Sequence, residues 1–140
     1  MQRPAMQRPA VVLPWVAQNH PAPMPKAEWG PIGWAWLHTE AINYPAAPSH
    51  RDRVEAYRRF WSFIKTLPCF ECRTHSIEYI RAHPPNFVGT ESYQDWAWRF
   101  HNAVNYRLKK PLMSREEYYA TYRPDSGGAE SHYERYRALL

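Results

Sequence analysis

A chain of 140 residues has room for one domain with tails, not for a Rossmann half joined to a catalytic half. With 44% apolar residues it can bury roughly 70% of its unfolded surface, which excludes wholesale disorder. The 18 basic against 13 acidic residues give a net charge of +5, but they are interleaved and never form a block, so no nucleic-acid partner is expected.

Residues 1–27 carry Pro4, Pro9, Pro14, Pro21, Pro23 and Pro25 and open with a tandem Met-Gln-Arg-Pro-Ala repeat, so we read them as a flexible arm. Within the arm, Val11-Val12-Leu13-Pro14-Trp15 is an isolated apolar patch. No run approaches the ~20 apolar residues of a membrane span, and the proline-broken N-terminus lacks the core of a signal peptide, so a cytoplasmic protein is expected.

From Trp29 the punctuation becomes helical. Pro31 reads as a first-turn residue, and Ile32, Trp34, Ala35, Leu37, His38 and Ile42 recur at helical steps until Tyr44-Pro45 stops the run. Ser49 with Asp52 signals a second helix to Leu67, whose apolar stripe is Val54, Tyr57, Phe60, Trp61, Ile64 and Leu67. Pro68 starts a third, from Cys69 to about Ala82, ended by His83-Pro84-Pro85. A fourth runs from about Ser92 to Leu108, and the capping box Ser114–Glu117 opens a short fifth carrying Tyr118, Tyr119 and Tyr122. No stretch alternates apolar and polar over strand length. The fold class is therefore all-α, a four-helix bundle plus a short fifth helix, with a domain over 28–123 and a tail over 124–140 in which Ser131–Leu140 could form an amphipathic end.

Only two cysteines occur, Cys69 and Cys72, in Pro-Cys-Phe-Glu-Cys. A secreted disulfide framework would show four or more, so the pair belongs to redox or metal chemistry. On a helix, i and i+3 share a face within disulfide range, and a helix N-terminus depresses a thiol pKa. Three other readings stand beside this: two buried small hydrophobes, a zinc site using the Cys69, Cys72, His75 string in a non-enzymatic helical binding module, and a thioredoxin motif, whose surrounding sheet is lacking.

The chain also holds 7 Trp, 10 Tyr and 5 Phe. Trp34 and His38 share a helix face, as do His101 and Asn105, with Asn102 beside them. Such faces suit a flat heteroaromatic ligand, and Arg107, Lys109 and Lys110 suit a phosphate or pyrophosphate. A dithiol, a planar-ligand pocket and a pyrophosphate anchor together describe a flavin enzyme.

Trp29-Gly-Pro-Ile-Gly-Trp-Ala-Trp-Leu-His38, Tyr44-Pro45, Leu67-Pro-Cys-Phe-Glu-Cys72 and Phe100-His-Asn-Ala-Val-Asn-Tyr-Arg-Leu-Lys-Lys-Pro111, in this order, resemble the Erv/ALR family of FAD-linked sulfhydryl oxidases, in particular the one-domain members of large cytoplasmic DNA viruses of the African swine fever virus type. The resemblance implies FAD held in the bundle and a homodimer, for which the apolar face around Ile32, Ala35 and Trp36 is the candidate surface. It implies that Gly30, Trp34, His38, Tyr44, His101, Asn102, Asn105 and Lys110 bind FAD, that Cys72 lies beside the isoalloxazine, and that Cys69 exchanges with substrate. The expected activity is a thiol oxidase that forms disulfides in a partner protein, a thioredoxin-like carrier being the expected class, and passes electrons through flavin to O2 to give H2O2. Two departures stand out. No second, shuttle Cys pair is present, and the basic residue often found in the first-helix turn is missing from Gly30-Pro-Ile-Gly33.

Overall fold

The computed structural model describes residues 24–123. The apolar patch at 11–15 and the proposed helix at 131–140 lie outside the described residues. Five helices follow one another: α1 (Lys26–Ile42), α2 (His50–Lys65), α3 (Phe70–Ala82), α4 (Thr90–Arg107) and α5 (Arg115–Tyr122). No strand occurs among the described residues, and no helix there is long and apolar enough to cross a membrane.

Two of the helix starts follow directly from sequence. Ser49 accepts the amide of Asp52 while the Asp52 carboxylate accepts the amide of Ser49, and Ser114 with Glu117 repeats this exchange at α5. The other three differ from expectation. α1 begins at Lys26, ahead of Trp29, because the Pro25 carbonyl accepts the amides of Glu28 at 2.9 Å and Trp29 at 3.1 Å. Pro31 is thus inside the helix rather than in its first turn. Its missing N–H forgoes one ladder bond to Ala27, tolerable because both residues are exposed and water can substitute. α3 begins at Phe70, leaving Pro68 outside the helix and Cys69 as its N-cap. α4 begins at Thr90, two residues ahead of Ser92.

The core forms where α1 and α4 cross and α2 and α3 close over them. Leu37, Ala41, Phe60, Ile64, Ile80 and Ala97 are buried together with the rings of Tyr93, Trp96 and Phe100. Edge contacts such as Phe60 against Trp96 at 5.2 Å and Tyr44 against Tyr93 at 5.5 Å fill the space between helices. On α2 the buried stripe is Ala56, Phe60 and Ile64. Tyr57, expected in that stripe, is 55% exposed, because small Ala56 takes the facing position and turns Tyr57 outward.

The far end of α1 is tied to the start of α4. Thr90 donates its amide to Pro45 O at 3.1 Å and its hydroxyl to Ala41 O at 2.9 Å, a last-turn carbonyl of α1 that otherwise accepts only weak backbone bonds such as that from Tyr44 at 3.4 Å. Gly89 permits this approach, since a Cβ there would stand 2.7 Å from Ala46 O. Gly89→Ala is therefore expected to destabilise the fold by about 1–3 kcal/mol, read as a lower denaturant midpoint at unchanged slope. At its other end α4 stops with Lys109 in the left-handed region (φ 57), and the Lys110 amide closes back on Asn105 O at 2.8 Å. This reversal brings Lys110 onto the cavity described next.

Candidate active site

The Cys69–Cys72 disulfide is formed at the start of α3, with the two Cα atoms 5.1 Å apart. As N-cap, Cys69 has extended backbone, and its Sγ accepts the amide of Cys72 at 3.2 Å. A sulfur at this place faces the positive end of the helix, which stabilises it as a thiolate once the bridge opens. The two sulfurs are not equivalent. Cys72 is buried, 8% exposed, on the wall of a cavity, whereas Cys69 is half-buried and followed by Phe70, which is 75% exposed.

That cavity has a volume of about 440 Å³ and lies between α1, α2, α3 and α4. Gly30, Trp34, His101, Asn105 and Lys110 line it together with Cys72, so five of the eight expected cofactor residues converge on one space. Trp29, Gly33, Phe63, Ile64, Phe100 and Val104 add apolar wall, and Lys26 and Arg107 add charge. The contributions of Phe63 and Ile64 were within reach of the sequence, one helical turn before Leu67 and the cysteines. That of Lys26 is not, because the sequence places the helix only from Trp29 onward, with Pro31 in its first turn.

His38, Tyr44 and Asn102 do not line the cavity; His38 and Asn102 adjoin its lining residues, whereas Tyr44 stands at the far end of α1. His38 is fully buried, its Nε2 2.9 Å from Nδ1 at the edge of the His101 ring, and Trp34 stacks on the face of that ring at 3.8 Å between centroids, 7° from parallel. Tyr44 donates its hydroxyl to Phe87 O at 2.6 Å, holding the segment before α4 against α1. Asn102 accepts the amide of Met113 at 2.8 Å and donates to Met113 O at 2.9 Å, fixing the loop that leads to α5.

Burial, reinforced by the neighbouring His101, lowers the His38 pKa to about 3; burial, with Lys110 nearby, lowers that of His101 to about 4. Both rings are thus neutral at neutral pH, one donating to the other. In the unfolded chain they take up protons near pH 6.5, so the folded state binds fewer protons below that value. Stability from this pair is complete above about pH 6.5 and is lost on acidification toward 4 and then 3. Each histidine contributes a slope approaching about 1.4 kcal/mol per pH unit on the steep part. Unfolding free energies that stay constant between neutral pH and about pH 5 would contradict a neutral buried pair.

The zinc alternative finds no support. The two cysteine sulfurs are bonded to each other, His75 is 45% exposed with its Nδ1 3.7 Å from Glu78, and no group of three or more His, Cys, Asp or Glu among the described residues is arranged to hold a metal.

The Erv1 / Alr family matches residues 32–123, which span α1 from its second turn through α5. The chain belongs to the Erv1/Alr family. Over 94 residues it is 39% identical to an FAD-linked sulfhydryl oxidase of African swine fever virus (isolate Warthog/Namibia/Wart80/1980), covering 67% of this chain and 79% of that one. It is 30% identical to a probable FAD-linked sulfhydryl oxidase of Acanthamoeba polyphaga mimivirus, covering 67% and 68% of the two chains. Its fold is similar to the FAD binding domain of Erv1 from Saccharomyces cerevisiae, with a TM-score of 0.68, 27% identity and coverage of 73% of this chain and 97% of that domain. The similarity to this Erv1/Alr domain includes its all-α architecture and the absence of strands among the described residues.

The cavity suits the FAD that those names specify. Its walls offer the planes of Trp34, Phe63 and Phe100, and Gly30 has nothing within 4 Å of where a Cβ would stand. Its charged lining residues are cations with no carboxylate among them, the complement of a flat ring carrying an anionic tail.

Proposed function

We propose that this protein is an FAD-dependent thiol oxidase that forms disulfide bonds in partner proteins. The observation that carries this reading is the placement of the disulfide, with Cys72 on the cavity wall and Cys69 toward solvent. The names of its Erv1/Alr relatives support the same reading.

A partner thiolate attacks Cys69 Sγ, the S–S bond breaks, and Cys72 leaves with the electron pair as a thiolate. A second partner thiolate attacks the partner's own sulfur in the mixed disulfide, releasing Cys69 as a thiolate beside the Cys72 amide. The partner dithiol loses two electrons and two protons; the cysteine pair gains the electrons as two thiolates, and the protons go to solvent. Bound FAD would supply the two-electron acceptor chemistry that links the reduced cysteine pair to O2, with H2O2 as product. Gly30, Trp34, His101, Asn105 and Lys110 would hold FAD, while His38 braces His101 and Asn102 accepts from Asn105. Cys69 and Cys72 are the two cysteines of this sequence, so substrates are taken to react at Cys69 directly. A thioredoxin-like carrier in the cytoplasm is the class of partner proposed. The oxidase domain is taken as residues 28–123 with the first turn of α1 added. A homodimer joined through Ile32, which is 62% exposed, and the adjoining Ala35 and Trp36 completes the reading.

The purified full chain is expected to be yellow and to consume O2 with a dithiol, yielding one H2O2 per disulfide formed. A colourless protein containing zinc, or one that leaves the dithiol reduced, would remove the proposal.

A further inference from the structure

Phe70 is the most exposed phenylalanine among the described residues, at 75%, and it is the first residue of α3, next in the chain to Cys69. It belongs neither to the core nor to the apolar side chains packed against it, and it does not line the cavity. Its one ring contact among the described residues is the guanidinium of Arg73, whose Cζ lies 5.9 Å from the ring centroid. Neither the helix nor the core therefore accounts for an aromatic side chain at this position.

The exchange chemistry does. A disulfide holds its two Cα atoms within about 7 Å, and neighbouring Cα atoms in a chain are about 3.8 Å apart. A partner joined to Cys69 Sγ in a mixed disulfide thus brings its own backbone within about 11 Å of the Phe70 Cα. The residues flanking the partner's cysteine then cover the ring. An apolar side chain there releases water from both surfaces, whereas a polar one gives up its hydration without a hydrogen bond in return.

We infer that Phe70 is a specificity-determining residue for the dithiol substrate, its ring receiving an apolar side chain beside the attacking cysteine of a polypeptide partner; this rests on the oxidase reading above. The exchange step itself is unchanged. Small dithiols, which have no flanking residues, gain nothing from the ring.

Oxygen uptake by the FAD-loaded full chain tests this with wild type, Phe70→Ser and Phe70→Leu. The substrates are dithiothreitol and two dithiol peptides that differ only in having leucine or serine on the outer side of each cysteine. Phe70 is exposed, so neither substitution opens a hole in the core. Wild type is expected to favour the leucine peptide about tenfold in kcat/KM. Phe70→Ser is expected to bring that ratio near one while oxidising dithiothreitol at the wild-type rate, and Phe70→Leu to keep most of the preference. Equal use of both peptides by wild type overturns the inference, as does a preference that survives in Phe70→Ser. Equal slowing of Phe70→Ser toward all three substrates also overturns it, since the ring would then act on the disulfide or the start of α3. A wild-type protein that oxidises none of the three overturns the parent reading instead.

Discussion

Cys69→Ser is expected to keep bound FAD, lose dithiol oxidation by on the order of 10³-fold or more, and gain a long-wavelength charge-transfer band. Cys72→Ser is expected to be equally inactive without that band. The asymmetry follows from where the sulfurs sit. With serine at 69 the bridge cannot form, which leaves the buried sulfur of Cys72 on the cavity wall as the thiolate donor of that band. Serine is also a good N-cap, so the substitution keeps the cap that the Cys69 sulfur supplies to α3 and does not unravel the helix. In the reverse variant the remaining thiol at 69 lies half-buried outside the cavity lining. Visible spectra of the two purified variants decide between the roles, and a band in Cys72→Ser but not in Cys69→Ser would exchange them.

His101→Ala is expected to remove much of the melting-temperature gap between FAD-loaded and FAD-free protein. A ligand bound only by the native state stabilises it by about 2.7 kcal/mol at a hundredfold excess over its Kd. His101 meets the cavity directly, stacked on Trp34 and braced by His38, so its removal takes away a wall and releases the Trp34 ring. The FAD-free protein also loses stability, since buried His38 Nε2 loses its partner at a cost of about 1–3 kcal/mol. The gap, and not the absolute melting temperature, is therefore the readout. Lys110→Ala should lose a smaller part of it, diminished further by salt. Differential scanning calorimetry with and without FAD checks both variants, and gaps equal to that of wild type would place the cofactor elsewhere.

The helices were legible where local chemistry decides them and shifted where tertiary contacts do. The two capping boxes, Ser49 with Asp52 and Ser114 with Glu117, are closed within four residues, and both appear as read. The start of α4 is set by Thr90, whose hydroxyl bonds to α1 carbonyls nearly fifty residues away, a contact no local pattern encodes. Pro31 misled for a related reason: proline marks a first turn by preference, and a helix that exposes it to water tolerates it further in.

The site divides in the same way. The i, i+4 spacing correctly put Trp34 and His38 on one helix, but depth comes from the facing helix. Trp34 reaches the cavity against the face of His101, while His38 is buried at the edge of that ring and does not reach the cavity. Tyr44 and Asn102 carry polar groups that this structure spends on Phe87 and Met113. The inequality of the two cysteines came from the family resemblance and not from their spacing. In the folded chain it has a local cause, since Cys69 caps the helix from outside and Cys72 faces inward one turn later.

Whether electrons pass from thiols through this cysteine pair to flavin is tested most directly by anaerobic titration of the oxidised, FAD-loaded full chain with a dithiol, followed by absorbance. The expected result is full bleaching of the flavin after about two equivalents per chain, one for the disulfide and one for FAD, with colour returning on admission of air and H2O2 appearing. Both cysteine variants should resist bleaching under the same conditions. A wild-type flavin that stays oxidised, or a Cys72→Ser flavin that bleaches as fast as wild type, would contradict the assignment.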